Sequence, residues 1–362
     1  MEQQTESPVF QPDPAALPES PSPFLPGTNI QFAWDSTSLG WLKTCPRLYQ
    51  YSMIEGWRAH GPSVHLDFGS YYHHALELYD RYRAEGADHA EALYESIKYC
   101  LEVTWVREER RAEDTGGQLE VVKSEPMDWG HNLKTRETLV RSVIWYLEEF
   151  GDNDAARTVV LKNGKPAVEL SFRLELDFGP KQVEYYVEAG KFGEGIAKER
   201  EITNPQPYVL SGHLDRVVEF SDGIYVMDRK TSSTTIGSYY FDGYNPDNQM
   251  SLYTFASKVI YQTPVRGVII DAAQIAVGFT RFSRGFTFRT ESQTEEWLAN
   301  TKHWLALAEQ YAVAGFWPMN DKSCHQYGGC AFRKVCSKSP EVRQKFLESE
   351  FVKRHWNPLE AR

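Results

Sequence analysis

Ser211-Gly-His-Leu-Asp215-Arg-Val-Val-Glu-Phe220-Ser-Asp-Gly223-Ile-Tyr-Val-Met-Asp228-Arg-Lys230 reads as two strands, 208–220 and 224–230, joined at Ser221-Asp222-Gly223. Asp-Gly between such runs is a strong short-range hairpin signal. With Asp222 and Gly223 as a two-residue loop, Asp215 lies opposite Lys230. Strand side chains alternate between faces, so Asp228 and Lys230 share one face and Arg229 takes the other. Asp228 is then the diagonal neighbour of Asp215, about 7–8 Å away, within reach of a shared ion. A three-residue loop over Ser221–Gly223 would instead put Asp215 opposite Arg229 and separate the two acids. Two carboxylates and a lysine on one patch of sheet can hold a divalent cation and activate a water. A solvated face with one cross-strand ion pair has the same pattern, so the remainder of the chain has to decide.

At 362 residues the chain is long enough for one large domain or two. Its hydrophobic share of 41%, charged share of 25% and aromatic share of 14% are those of a globular protein. No apolar run approaches the ~18 residues of a membrane span, so no membrane association is expected. Met1-Glu-Gln-Gln-Thr-Glu6 has neither the basic nor the apolar part of a secretory signal. A cytoplasmic location is the expectation, and there five cysteines serve as metal ligands or buried thiols rather than disulfides. The net charge of −11 argues against a broad basic surface coating nucleic acid, though not against a small local groove.

Taken in order, residues 1–30 hold seven prolines and no apolar period, which predicts a disordered leader. A single domain is expected over 31–340: a helical part at 36–150, a sheet core at 159–290, then a helix and cysteine knuckle at 291–340. Residues 341–362 read as a charged tail. Ser36 or Thr37 is a candidate N-cap for a helix broken at Cys45-Pro46. Ser70 is expected to cap a helix carrying His73, Leu76 and Tyr79 on its inner face, where a histidine is either a core residue or a ligand. Helices are expected at 87–105, with Cys100 in the core, and at 133–150. Residues 107–131 lack a clear period and read as a surface loop.

From Val159 the period changes to that of strands, and in 167–176 Glu169 falls on the outward-facing odd positions. The segment 181–206, with Gly190, Gly193 and Gly195, suggests an extended hairpin or loop. A helix over 246–261 puts Gln249 and Tyr253 on one face. Strands follow at 265–279 and 284–290, and Ser292-Gln-Thr-Glu295 is a candidate capping box for a helix to about Ala314. Cys324, Cys330 and Cys336, with Gly328-Gly329 between the first two, read as a metal knuckle whose fourth ligand is Cys45 or His325.

The order Gly69…His73, Glu169, Gly212-His-Leu-Asp215, Asp228-Arg-Lys230 and Gln249-Met-Ser-Leu-Tyr253, bracketed by Cys45 and the terminal cysteines, resembles the RecB-like branch of the PD-(D/E)XK nucleases. Within that branch it looks most like the iron–sulfur exonucleases: the AddB nuclease domain, the CRISPR-associated RecB-like exonucleases and phage relatives. The likeness spans roughly residues 36–340. Two features depart from the family pattern. The terminal cysteines are evenly spaced where the family has a closer middle pair, and Leu214 stands where the superfamily name has proline.

The resemblance implies an α/β fold: a restriction-endonuclease-like mixed β-sheet flanked by helices, with the N- and C-terminal segments joined by a metal cluster. It implies that His73, Asp215, Asp228 and the backbone carbonyl of Arg229 hold Mg²⁺ or Mn²⁺, with Glu169 as an outer-sphere or second-metal acid. Lys230 would orient the attacking water, and Gln249 and Tyr253 would position DNA. Cys45, Cys324, Cys330 and Cys336 would hold a [4Fe–4S] cluster, with zinc as the alternative. The implied function is a DNA nuclease, an exonuclease acting on ends or single strands in recombination, repair or phage DNA processing. A recombination or helicase partner would supply unwinding. The competing function is a non-catalytic DNA-binding or assembly module on the same fold.

Overall fold

The computed structural model describes residues 22–61, 63–111, 119–176, 183–189, 195–201, 208–221, 223–261 and 264–360. Most of the proline-rich leader, the tip of the 107–131 segment, much of 181–206 and Asp222 lie outside the described residues. In chain order the elements are β1 (Ala33–Trp34), α1 (Ser36–Thr44), α2 (Pro46–Tyr49), β2 (Trp57–Ala59), α3 (Val64–Ala84), α4 (His89–Val103), β3 (Trp105–Arg111), β4 (Leu119–Pro126) and α5 (Arg136–Phe150). The strands β5 (Arg157–Thr158), β6 (Val168–Leu176), β7 (Val183–Ala189), β8 (Gly195–Glu201), β9 (Tyr208–Phe220) and β10 (Gly223–Ser232) follow. Then come α6 (Ser238–Asp242), α7 (Asn248–Tyr261), β11 (Val265–Ile275), β12 (Thr280–Thr287), α8 (Glu291–Ala314), α9 (Arg333–Cys336), α10 (Pro340–Glu350) and β13 (Phe351–Lys353). The chain divides into two units, with β6 and β9 running from one to the other.

The first unit comprises residues 63–170 and 214–289. Its sheet is mixed: β10 pairs antiparallel with β9 and parallel with β11, and β11 pairs antiparallel with β12. The parallel pair needs a crossover, which α6 and α7 supply. β11 is buried along almost its whole length, as expected of a strand covered on both faces. Phe68, Tyr72, Leu76 and Tyr79 of α3 pack with Leu139, Val143 and Tyr146 of α5 onto Ala273 and Ile275 of β11. These helical residues recur three and four apart, so each helix turns one apolar stripe to the sheet. Cys100 sits in that core.

The β9–β10 register corrects the predicted turn. Phe220 already pairs with Gly223, so residues 221 and 222 make the connection, and Ser221 takes the positive φ of 46° that such a turn requires. Gly223 serves packing instead: a Cβ there would lie 2.7 Å from Arg266 Cγ. The slip from the predicted loop amounts to a full pleat, which returns every side chain to its face. The paired ladder ends at Met227 opposite Arg216, and its continuation sets Asp215 across from Asp228 rather than Lys230.

Other boundaries moved for local reasons. α3 starts at Val64 after Ser63, placing Ser70 inside the helix instead of at its cap. The 107–131 segment, expected as a loop, contains the β3–β4 hairpin. Its sequence Arg107-Glu-Glu-Arg-Arg111 has no apolar alternation, and backbone pairing leaves no mark on side-chain periodicity.

The second unit comprises residues 22–61, 171–213 and 290–360. Here β1 runs parallel to the start of β9, β7 pairs with β8, and β2 pairs with β13. Asp35, rather than Ser36 or Thr37, caps α1 in a reciprocal box with Ser38. Thr290 with Gln293, two residues before the predicted box, caps α8, which Gly315 closes in the left-handed region. Residues 340–353, within and beside the expected tail, form α10 and β13. An aromatic core of Tyr51, Trp57, Phe332 and Phe351 underlies this end of the unit.

Candidate active site and thiol cluster

His73 rides on α3 between the buried residues Tyr72 and Ala75 and faces the sheet from the helix edge. Its Nδ1 lies 3.2 Å from Asp215 Oδ2, which also accepts a 2.9 Å hydrogen bond from the Arg229 amide. Ligand atoms of His73, Glu169 and Asp215 all lie within 4.8 Å of one another. Glu169, expected on an outward strand face, is brought into this group with a backbone φ of 47°. A bulky residue in the left-handed region costs on the order of 1–3 kcal/mol, and such strain collects at functional sites.

Asp228 is 1% exposed, and its Oδ1 is buried without a hydrogen-bond donor. Lys230 Nζ lies 2.6 Å from Asp228 Oδ2, a close ion pair that favours the charged form of both groups. Lys230 also donates to Gln249 Oε1 at 3.2 Å, and Gln249 Nε2 donates to Tyr253 OH at 2.8 Å. One turn of α7 thus steers the lysine head through the two residues predicted to share its face.

The electrostatics separate the two acids. Burial would raise the Asp215 carboxyl, but His73, Lys230 and the Arg229 amide together hold it well below the usual carboxylate range. Burial and the neighbouring Asp215 charge push Asp228 up to about 6 against the pull of Lys230. Burial alone would lower Lys230, yet the two aspartates raise it, so it remains an ammonium.

Arg229 points away from this group, as alternation requires. Its Nη2 donates to Asp80 Oδ2 at 2.7 Å, two helical turns beyond His73 on α3. Asp80, Arg216, Asp154, Arg284 and Asp271 continue a buried ion network, in which Arg284 bonds both oxygens of Asp154 at 2.6 and 2.9 Å. No local pattern announces this network, because its members come from separate elements. Tyr240 was also missed: Lys230 and Asp228 both act on its hydroxyl, which accepts from Tyr244 at 3.0 Å.

In the second unit Cys45 ends α1 and its Sγ accepts from the Asn320 amide at 3.3 Å. Cys324 Sγ lies 3.9 Å from the Asn320 carbonyl, and Asn320 Nδ2 and Ser323 Oγ both donate to Thr44 O. Gly329, at φ 101°, turns the chain so that the Cys330 amide reaches the Cys324 carbonyl at 3.1 Å. Cys330 and Cys336 pack on the Phe332 core. Cys330 feels Cys324 and Cys45, and Cys336 feels Cys330 and Cys45, so the four thiols occupy one neighbourhood. Burial pushes Cys336 up to about 11, opposed by Arg47. All four are unbridged.

The chain belongs to the PD-(D/E)XK nuclease superfamily, whose family model matches residues 36–337. A solved protein from Eubacterium rectale, named "Putative exonuclease", is similar with a TM-score of 0.43 and 11% identity over 85% of this chain and 89% of that one. Comparison with the curated proteins gives no match. No helix among the described residues is long and apolar enough to cross a membrane.

Proposed function

We propose that this superfamily member is a metal-dependent deoxyribonuclease of the RecB-like branch, acting on DNA ends or single strands in recombination, repair or phage DNA processing. The observation that carries this reading is Asp228, buried with no donor on Oδ1 and only Lys230 at Oδ2, beside the His73–Glu169–Asp215 group. Glu169, Asp215 and Asp228 gather more carboxylate charge here than Lys230 alone offsets, an arrangement that a bound cation would relieve. Carboxylate oxygens with one imidazole suit Mg²⁺ or Mn²⁺. His73, Glu169, Asp215, Asp228 and the Arg229 carbonyl would hold that ion, which when bound polarises a phosphoryl oxygen and lowers the pKa of water.

The protein's own groups do the rest. Lys230, kept charged by two aspartates and aimed by Gln249, orients the attacking water and offsets negative charge developing at phosphorus. Tyr253 accepts a hydrogen bond from Gln249, and together the two would position the DNA strand. In the second unit Cys45, Cys324, Cys330 and Cys336 offer the all-thiolate donor set of a [4Fe–4S] cluster or of zinc, tying the two ends of the matched region together.

The test is cleavage of 5′- and 3′-end-labelled single- and double-stranded DNA with Mn²⁺ or Mg²⁺ by the full chain. Wild type should cleave, and Lys230→Ala should lose cleavage while keeping its circular dichroism spectrum. Persistent cleavage by that variant would remove Lys230 from the mechanism, whereas binding without cleavage by wild type would favour the non-catalytic module. Iron and acid-labile sulfide in brown protein would decide against zinc in the thiol cluster.

A further inference from the structure

Lys134 lies just before α5 and is only 3% exposed, yet among the described residues no carboxylate lies within ion-pair distance. Its Nζ makes one hydrogen bond, 3.3 Å to Thr231 Oγ1, and sits 5.2 Å from the centre of the Phe68 ring. Thr231 immediately follows Lys230 on β10. An ammonium has three N–H donors, so most of the capacity of this one is unspent. Burial without a counter-charge holds it down to about 8. Arg216 and Arg229, the other cations of this unit exposed by 6% or less, each have an aspartate partner.

The surroundings add donors and a flat apolar wall. His131 Nδ1 accepts the amides of Leu133 and Lys134 at 3.1 and 2.9 Å, which leaves the proton on Nε2 as an outward donor. His131 meets the exposed His65 edge-on at 5.1 Å, and burial and then Lys134 and His131 lower the proton affinity of His65. Trp129 stacks on Tyr71, with ring centres 6.1 Å apart, and its indole N–H is buried with no acceptor. An unneutralised cation, two imidazoles, a stranded indole donor and a stacked aromatic pair thus meet at the N-terminal end of α3.

We propose that Lys134, with Thr231 and His131, forms a subsite for a non-scissile phosphodiester of the DNA strand adjoining the reaction centre, with Trp129 and Tyr71 as the wall for its base. This rests on the nuclease reading and adds to it a second point at which the strand is held. The phosphate supplies the charge that Lys134 lacks. Thr231 turns with Arg229 to the face of β10 opposite Lys230, so the held phosphate lies on the α3 side of the strand, along the helix that carries His73.

The test is binding of a fluorescent single-stranded thymidine oligonucleotide by the full chain in EDTA, where no cleavage occurs, across a salt series. Lys134→Met should weaken binding roughly tenfold or more and flatten the log–log salt slope by about 0.7, while Lys134→Arg retains most of the affinity. A neutral methylphosphonate, walked along the oligonucleotide, gives a second reading on the unmutated protein. One position should reproduce the loss in wild type and cause no further loss in Lys134→Met. Unchanged affinity and slope in folded Lys134→Met, or equal sensitivity of both proteins at every methylphosphonate position, overturns the subsite. Wild type that binds no DNA defeats the nuclease reading and the subsite together.

Discussion

The two side-chain clusters of this protein solve opposite problems. In the first unit carboxylates and an imidazole gather around Asp228, whose buried Oδ1 has no donor and whose Oδ2 meets Lys230. In the second unit four unbridged thiols are held by backbone turns and by Asn320, with Cys330 and Cys336 packed against aromatic rings. Hard oxygen donors around a buried charge leave room for exchangeable water, which hydrolysis needs. Soft thiols closing on each other leave none, which suits a staple. The carboxylate cluster carries its strain in the Glu169 backbone and in the crowded acids, whereas the thiol cluster is held by backbone turns.

Variants should separate the two clusters. Cys45→Ser should have the largest effect on stability, with loss of bound metal and the greatest fall in Tm, read by metal analysis and calorimetry. Retention of full metal content by that variant would break the contrast. Asp80→Ala leaves Arg229 and Arg216 buried with one partner fewer and should cost about 3–5 kcal/mol in denaturant unfolding, with metal at the thiols unaffected. Lys230→Ala should lower kcat by roughly 10²–10³-fold, comparable to removing an oxyanion donor, with little change in Tm. EDTA should mimic that loss of activity reversibly, and under the proposed iron–sulfur reading it should leave iron bound at the thiols.

The smallest expected effect concerns pH. Lys134 titrates near 8 in the folded protein and near 10.4 when unfolded, so between these values the unfolded chain binds more protons. Its burial therefore weakens the DNA-free protein fully below pH 8, and the penalty is relieved as pH rises toward 10.4. Lys134→Met should be more stable than wild type at pH 7, by no more than about 3 kcal/mol. That advantage should shrink by pH 10, as read by chemical denaturation; an advantage independent of pH would contradict it.

The pleat itself explains why much of the site was legible. Asp228, Arg229 and Lys230 had to alternate, and the structure sends Arg229 to Asp80 while Lys230 meets Asp228. The turn was misplaced, but by a whole pleat, so the faces survived. Gln249 and Tyr253 had to share a helical face, and they hydrogen-bond. Glu169 was read as outward because alternation assumes ordinary strand dihedrals, and its positive φ breaks that assumption. The α3 start was misread because Gly69-Ser70 resembles a boundary; the helix passes through it, with a Cβ at Gly69 only 3.7 Å from Thr231 Oγ1. Lys134 was missed because a single lysine in a polar connection gives no sign that it will be buried.

By itself the sequence determined what short-range geometry dictates: strand alternation, helical faces, the cysteine spacing and the order of motifs. Tertiary structure alone decided which distant residues meet and which charges lose water. Convergence of His73, Glu169 and Asp215 requires a helix and separate strands to pack at particular offsets. The desolvation that pushes Asp228 up and leaves Lys134 without a counter-charge is a property of everything packed around them, and no residue encodes it locally.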